Sequence, residues 1–419
     1  FWLKPLQGPS RGTCTLMGPA SSEGPQVAKG SRRTTTGLAL GIGCALGACS
    51  LMLGALRSFV GGAGSPEGPI LGVEKLGFPF ECESPFLFAV YHLDHYPPGD
   101  ADMGPPKALL EGRALGSDFG NPSGWSMYHG ERVPGFPKHP HRGFETITVT
   151  RRGWIDHTDS LGNAGRFGGG DVQWMTAGRG INHAEVFPLL KQDGENLLEL
   201  FQIWINLPRR SKMVEPSFKM LWAESLPTEL PEAAASAPPG SGEGVEVRLV
   251  AGELPRFQQP PAPPPDSYAS EPAADVLVVT VKLPAGTSWT LPRYSGERPV
   301  DGLNRNAYLY TGAAGSVSGR SITGRRRVRL RPDADAVFAA DAGAPLEVLI
   351  LQGRELDEPV VQHGPFVGNS REDIAKAFQD YQRTGFGGWP WSSDAVAHPR
   401  ERQRFAQYAD GRVEEKPMQ

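Results

Sequence analysis

Apolar residues in this chain recur in short runs, not in long helical stripes. Between Phe78 and Trp222 the runs PFLFAVY, FETITVT, VQWM and LFQIWINL are rich in aromatic and β-branched residues, with Gly and Pro between them. Runs of that composition, closely punctuated by turn residues, predict the strands of a sandwich or barrel. A second block repeats the texture, from VEVRLVAG through DVLVVTVKL, NAYLYTGAAGSV and RRVRLR to LEVLILQG, with PPAPPP at 260–265 read as a loop insertion. Residues 227–244, rich in Pro, Ala and Gly, read as a linker between the blocks. One stretch has helical spacing: in REDIAKAFQDYQ, Ile374, Ala377, Phe378 and Tyr381 share a face, and Asn369-Ser370 stands where a cap belongs. The pattern predicts an all-β protein with a short C-terminal helix, divided into 72–226, 245–385 and a tail at 386–419.

The N-terminal region has another texture. Residues 1–36 are rich in Ser, Thr, Gly and Pro and carry Lys4, Arg11, Lys29, Arg32 and Arg33 against Glu23, a composition like that of an organellar transit peptide. Residues 37–58 follow, opening with the uncharged run GLALGIGCALGACSLMLGAL. Twenty helical residues reach about 30 Å, enough to cross a bilayer. Five glycines dilute the run. It reads as a membrane anchor, as an export signal behind the twin Arg32-Arg33, or as a leader with no membrane role. Placement at a membrane or in an organelle (plastid or mitochondrion) is the expectation from the leader.

Composition narrows the chemistry. The net charge of −4 is small for 419 residues, which gives no global electrostatic case for binding nucleic acid. The basic run RRRVRLR alternates Arg327, Arg329 and Arg331 with Val328 and Leu330, and so reads as a strand with one charged and one apolar face. Of the four cysteines, Cys14, Cys44 and Cys49 precede the globular body, and Cys82 stands alone in it. With no CxxC pair, a disulfide framework or a thiolate zinc site is not expected, and a metal site must use imidazole and carboxylate.

The residues for such a site lie between 136 and 188, in FPKHPHRGFETITV and GGGDVQWMTAGRGINHAEVFP. His139 and His141 are two apart, and alternate residues of a strand point to one face. His183 and Glu185 repeat the spacing. Four donors from two neighbouring strands can converge on one ion, and imidazole with carboxylate suits iron, copper, nickel, manganese or zinc better than magnesium or calcium. An HxH pair alone is a weak signal; HxH followed by HxE in strand-like text is more specific. Glu145 competes for the carboxylate position, but on an unbroken strand it lies about 13 Å from His141, whereas Glu185 needs no bend to join His183. Glu185 is therefore the expected ligand, and Glu145 a candidate acceptor for a ligand imidazole N–H. Gln173, Trp174 and Met175 read as barrel lining, and His92, His95 and His363 as structural. Arg142 reads equally as a cation at the cavity mouth or as a solvated charge.

FPKHPHRGFET, GDVQWMTAGRGINHAE, QIWINLP, KMVEPSF and EPVVQHGPFVGN together resemble the pirin family of the cupin superfamily, over about residues 84–386. The resemblance implies two double-stranded β-helix barrels packed face to face, with one mononuclear metal, iron, in the first. The family's metal ligands fall on His139, His141, His183 and Glu185. The second barrel is implied to hold no metal, in keeping with the absence of histidine between Trp222 and Leu351. VYHLDHYPP departs from the family pattern, which puts the geometry of the barrel mouth in question.

Two functions follow from the resemblance. Several pirins are quercetin 2,3-dioxygenases, which implies O₂ and a flavonol-like substrate, with Glu185 as catalytic base. Others resemble redox-sensing regulators whose iron state alters a surface for a protein partner, with a cytoplasmic or nuclear setting. The ligand set serves both. The leader favours the enzyme.

Overall fold

The computed structural model describes residues 68–229, 244–312 and 314–418. The leader 1–36 and the apolar run 37–58 lie outside the described residues, as does most of the linker. Among the described residues no helix is long and apolar enough to cross a membrane.

The first half of the body contains β1 (Ile70–Lys75), β2 (Phe80–Glu81), β3 (Phe86–Tyr96), β4 (Gly135–His141), β5 (Phe144–Arg152), β6 (Trp154–Asp159), β7 (Ala164–Gly168), β8 (Val172–Thr176), β9 (Ile181–Val186), β10 (Asn196–Asn206) and β11 (Ser217–Leu221). The second half contains β12 (Thr228–Glu229), β13 (Glu246–Ala251), β14 (Leu277–Leu283), β15 (Ser288–Leu291), β16 (Leu303–Leu309), β17 (Gly315–Val317), β18 (Arg320–Ile322), β19 (Arg326–Leu330), β20 (Ala336–Ala340) and β21 (Leu346–Arg354). After it come the hairpin β22 (Val361–His363) and β23 (Phe366–Gly368), the helix α1 (Arg371–Thr384), and β24 (Arg404–Gln407) with β25 (Val413–Lys416). Antiparallel sheets ordered β11-β8-β5-β10-β3-β2 and β25-β24-β7-β6-β9-β4 build the first barrel, and β1-β19-β16-β21-β14-β13-β12 with β15-β20-β17-β18 build the second. This is the expected all-β pair of barrels with one short helix.

Strand alternation decides what each barrel wall does. In β5, Ile147 and Val149 face the second barrel, as do Val172 and Trp174 of β8 and Phe201, Ile203 and Ile205 of β10. They pack in one cluster with Val250, Val278, Tyr308, Leu349 and Leu351 from the other side, all essentially without exposure. The barrels are thus joined through a common apolar layer between two sheets. Trp174 belongs to this layer and not to the barrel lining expected of it; Gln173 and Met175, one residue to either side, point inward.

β1 and the segment after α1 each join the barrel of the other half, which corrects the division drawn from the sequence. β1 pairs with β19 and completes the second barrel's sheet. Arg327 there meets Glu74 at 2.6 Å and Arg329 meets Glu83 at 3.0 Å, while Val328 and Leu330 are buried. The basic run is a strand with an apolar and a charged face, as read, but it is an interior strand with paired charges. Residues 386–418 are no free tail: β24 pairs with β7 and extends a first-barrel sheet. The reason lies in Arg166, fully buried on β7. It bonds both oxygens of Asp156 at 2.7 and 2.8 Å, and its remaining N–H groups reach the carbonyls of His398, Pro399 and Arg402 at 2.9 Å. A buried guanidinium needs all its donors satisfied, and the returning segment satisfies them.

The helix starts where its cap predicts. The Ser370 hydroxyl accepts from the Asp373 amide, and the Asp373 carboxylate accepts from the Ser370 amide. Gly385 ends it in the left-handed conformation, and Ile374 and Ala377 form its buried face.

Candidate metal centre

β4 and β9 lie side by side, and their register places His139 opposite His183 and His141 opposite Ile181. All three imidazoles project into the first barrel. Their ring centroids are 4.4 Å (His139–His183), 4.7 Å (His139–His141) and 4.9 Å (His141–His183) apart. Among the described residues they form a group whose donor atoms all lie within 4.8 Å of one another. His141 and His183 are buried and His139 is half-buried, so the centre is approached from the side of His139.

The protonation state suits metal binding. Burial lowers the His139 pKa to about 4 and holds His141 and His183 well below the ordinary imidazole value, and the crowding of neighbouring rings pushes the same way. All three are neutral near pH 7, as ligands must be. The Pro137 carbonyl lies 2.9 Å from His139 Nδ1, which fixes the proton there and leaves Nε2 with a bare lone pair. Among the described residues, His141 Nδ1 and both nitrogens of His183 have no hydrogen-bond partner. Leaving such atoms unmatched in a dry interior costs about 1–3 kcal/mol each. Three clustered neutral imidazoles, two of them with unmatched nitrogens, fit a divalent transition metal.

Glu185 is placed on the same strand face, but a bulge between Phe136 and His139 sets it opposite Phe136. Its carboxylate is buried beside the three-histidine group, not within it: Oε1 accepts from Thr148 Oγ1 at 3.0 Å and Oε2 from Gln202 Nε2 at 2.9 Å. Burial raises its pKa; the electrostatic influence of the His157 ring and the two hydrogen bonds oppose that rise. The structure therefore gathers three of the four expected donors into one cluster and holds the fourth next to them on a hydrogen-bonded cradle.

Glu145 does not serve as an acceptor for the imidazoles. It shares the face of Ile147 and Val149, so it points away from the histidines and into the layer between the barrels. There it accepts from Thr176 Oγ1 at 2.7 Å and from Ser267 Oγ at 2.6 Å, the latter from the loop that follows PPAPPP. Burial pushes its pKa up to about 7 despite both hydroxyls. Four positions along one unbroken strand would return Glu145 to the face of His141, but the turn at Gly143, with φ of +84°, starts a new strand with its own facing.

One interior residue was missed. His157 on β6 sits opposite Glu185 across the β6–β9 ladder, its ring 5.6 Å from His183 and 5.4 Å from Phe218. It is fully buried, with Nε2 at 3.4 Å from Asp159 Oδ2 and Nδ1 without a partner among the described residues. The signal was a lone histidine in WIDHTD, at an alternating position of a strand. Gln173 likewise presents to the barrel interior an amide with neither atom partnered among the described residues. The histidines read as structural remain so: His92 bonds the Tyr128 hydroxyl at 2.8 Å, His95 bonds Glu195 at the surface, and His363 packs on Phe378.

Comparison with known proteins agrees with this geometry. The model of the Pirin family matches residues 116–205, and that of the Pirin C-terminal cupin domain matches residues 278–387. A Pseudomonas aeruginosa protein named as a candidate quercetin 2,3-dioxygenase is 37% identical over 253 residues, 60% of this chain and 79% of that protein. Pirin-1 of Arabidopsis thaliana is 37% identical over 257 residues, 60% of this chain and 78% of its own. Pirin of Rattus norvegicus is 33% identical over 280 residues, 64% and 83% of the two chains. In three dimensions the fold resembles a quercetin 2,3-dioxygenase of Acinetobacter baumannii, with a TM-score of 0.57 at 25% identity over 76% of this chain and 98% of that one. With two barrels, a three-histidine centre in the first and these relatives across the body, the chain belongs to the pirin family.

Proposed function

We propose that the protein is a metal-dependent oxidoreductase, a dioxygenase that opens a flavonol-like substrate, with iron held by His139, His141, His183 and Glu185. The observation that carries this is the cluster of three neutral imidazoles, two of them buried with unmatched nitrogens, in a chain 37% identical to a candidate quercetin 2,3-dioxygenase. A bound iron supplies Lewis acidity toward a substrate hydroxyl and a redox partner for O₂.

The protein's own part is to move a proton. Thr148 Oγ1 has two acceptors in reach, Glu185 Oε1 at 3.0 Å and Gln202 Oε1 at 2.5 Å, and one hydrogen to give. When it turns to Gln202, Glu185 Oε1 is free to take the proton of a flavonol hydroxyl, and the new O–H can donate back to Thr148. Gln202 Nε2 holds Oε2 throughout and fixes the plane of the carboxylate. Burial makes Glu185 a stronger base than an ordinary surface carboxylate.

The test is direct. Residues 68–419, expressed alone and loaded with ferrous iron, are expected to consume O₂ with quercetin and bleach its flavonol absorption. Glu185→Gln should lower turnover by about 10²-fold or more. Full iron with no O₂ uptake across a panel of flavonols would overturn the reading.

A further inference from the structure

The segment after the second barrel, residues 361–394, touches the immediate chain neighbour of every histidine in the centre. Next to His141, Arg142 is buried and held on all sides. Its amide donates to Pro365 O at 3.3 Å, and its carbonyl accepts from Val367 N at 3.0 Å. Its guanidinium donates to Arg179 O at 2.5 Å and to Asp380 Oδ2 of α1 at 2.9 Å, and lies 4.5 Å over the Phe386 ring. Next to His183, the Asn182 amide group donates to the carbonyls of Gly385 and Gly388. Next to His139, the Lys138 amide donates to Asp394 O at 2.7 Å, and its ammonium lies 3.6 Å from the Asp394 carboxylate. The approach is close: a Cβ at Gly180 would stand 2.7 Å from the Phe386 ring, and one at Gly143 would stand 2.0 Å from Val367 O.

We infer that residues 361–394 form a clamp that sets the spacing of the three imidazoles, with Arg142, Asp380 and Phe386 as its positioning residues; this rests on the metal site proposed above. β4 and β9 carry the donors, but the ladder between them is interrupted by the bulge just before His139 and ends at Ile181, directly after the turn at Gly178–Gly180. Ladder hydrogen bonds alone leave such strand ends free to shift. The clamp crosses both breaks from outside the barrel. Arg142 ties the end of β4 to the approach of β9 directly, since its side chain binds Arg179 O while its own backbone follows His141; the bulge is held separately, by the Lys138 amide on Asp394 O. The clamp also gives a role to the EPVVQHGPFVGN motif, whose hairpin carries Pro365 and Val367 and which no proposed chemical step uses.

The full-length chain and its Arg142→Met, Asp380→Asn and double variants are compared for affinity toward ferrous iron, by chelator competition, and for the visible spectrum of cobalt(II) in the same site. Groups that orient metal ligands alter affinity by about 10- to 100-fold when removed. Arg142→Met is expected to weaken iron by about tenfold and to shift the cobalt bands, and Asp380→Asn to act in the same direction and less. The double variant should lose no more than Arg142→Met alone, because the two act as one device. Wild-type affinity and cobalt spectra in both single variants, with lowered melting of the metal-free protein, would make the contacts structural only and overturn the clamp. Losses that simply add in the double variant would overturn it as a single device. A wild-type chain that binds no metal would instead refute the underlying site.

Discussion

The two barrels share a fold and differ in what fills them. The second is packed with Val247, Leu249, Val279, Val281, Ala307, Leu309, Val328, Phe338, Val348 and Ile350, all nearly or wholly without exposure. The first keeps an apolar end around Ile155, Phe167, Met175 and Leu200, and gives the rest of its interior to His139, His141, His157, His183, Thr148, Gln173, Gln202 and Glu185. A small barrel must fill its interior with something. Aliphatic filling supplies stability; imidazoles and carboxylates supply a site at some cost in stability. The same architecture thus serves as scaffold in one half and as reaction vessel in the other, and function has to be read from the residues lining each barrel.

The sharpest way to break the contrast is to remove the donors. His139→Ala, His141→Ala and His183→Ala should each abolish stoichiometric iron, measured by elemental analysis of the purified protein. A variant that retained full metal would take that residue out of the ligand set. The mirror experiment uses the aliphatic barrel. Ile350→Ala removes a fully buried side chain there and should lower stability by about 2–5 kcal/mol in chemical denaturation. Its iron content should stay unchanged under native conditions; loss of iron with the fold intact would show that the second barrel's core reaches the site.

The smallest expected effect concerns the layer between the barrels. Glu145 has its folded pKa raised from 4.5 to about 7, so the folded state holds its proton more tightly than the unfolded state. Its contribution is fully present below pH 4.5 and is lost as pH rises through about 7. Glu145→Gln removes that loss, because a neutral amide keeps bonds to Ser267 and Thr176 once one hydroxyl turns to accept. The variant should match the wild type near pH 5 and exceed it at pH 8, by up to about 3 kcal/mol. The buried histidines carry the opposite sign. His139, lowered to about 4, makes the metal-free protein less stable as pH falls from about 6.5 to about 4, and His141 and His183, held well below 6.5, act in the same direction. Melting temperatures across pH separate the two: a variant curve parallel to the wild type from pH 5 to pH 8 would refute the assignment to Glu145.

Much of this was legible in local pattern. Strand texture, the turn residues, the cap at Ser370 and the i, i+2 pairs at 139/141 and 183/185 are properties of a few consecutive residues, and backbone geometry converts them into strands, a helix start and a shared face. The aliphatic character of the second barrel was equally plain from its lack of histidine. What the sequence by itself determined is therefore the class of fold, the chemistry of the donors and the face on which each pair lies. Only the tertiary structure decided the rest. The bulge before His139 set Glu185 opposite Phe136 and onto Thr148 and Gln202. The new strand after Gly143 turned Glu145 toward the other barrel, and ladder pairing brought His157 beside His183. β1 and the last described segment exchanged barrels because β19 offered a pairing edge to β1 and buried Arg166 required carbonyls from residues 398–402. Each of these outcomes depends on register or on a partner more than two hundred residues away or across a sheet, and spacing along one strand carries no information about either.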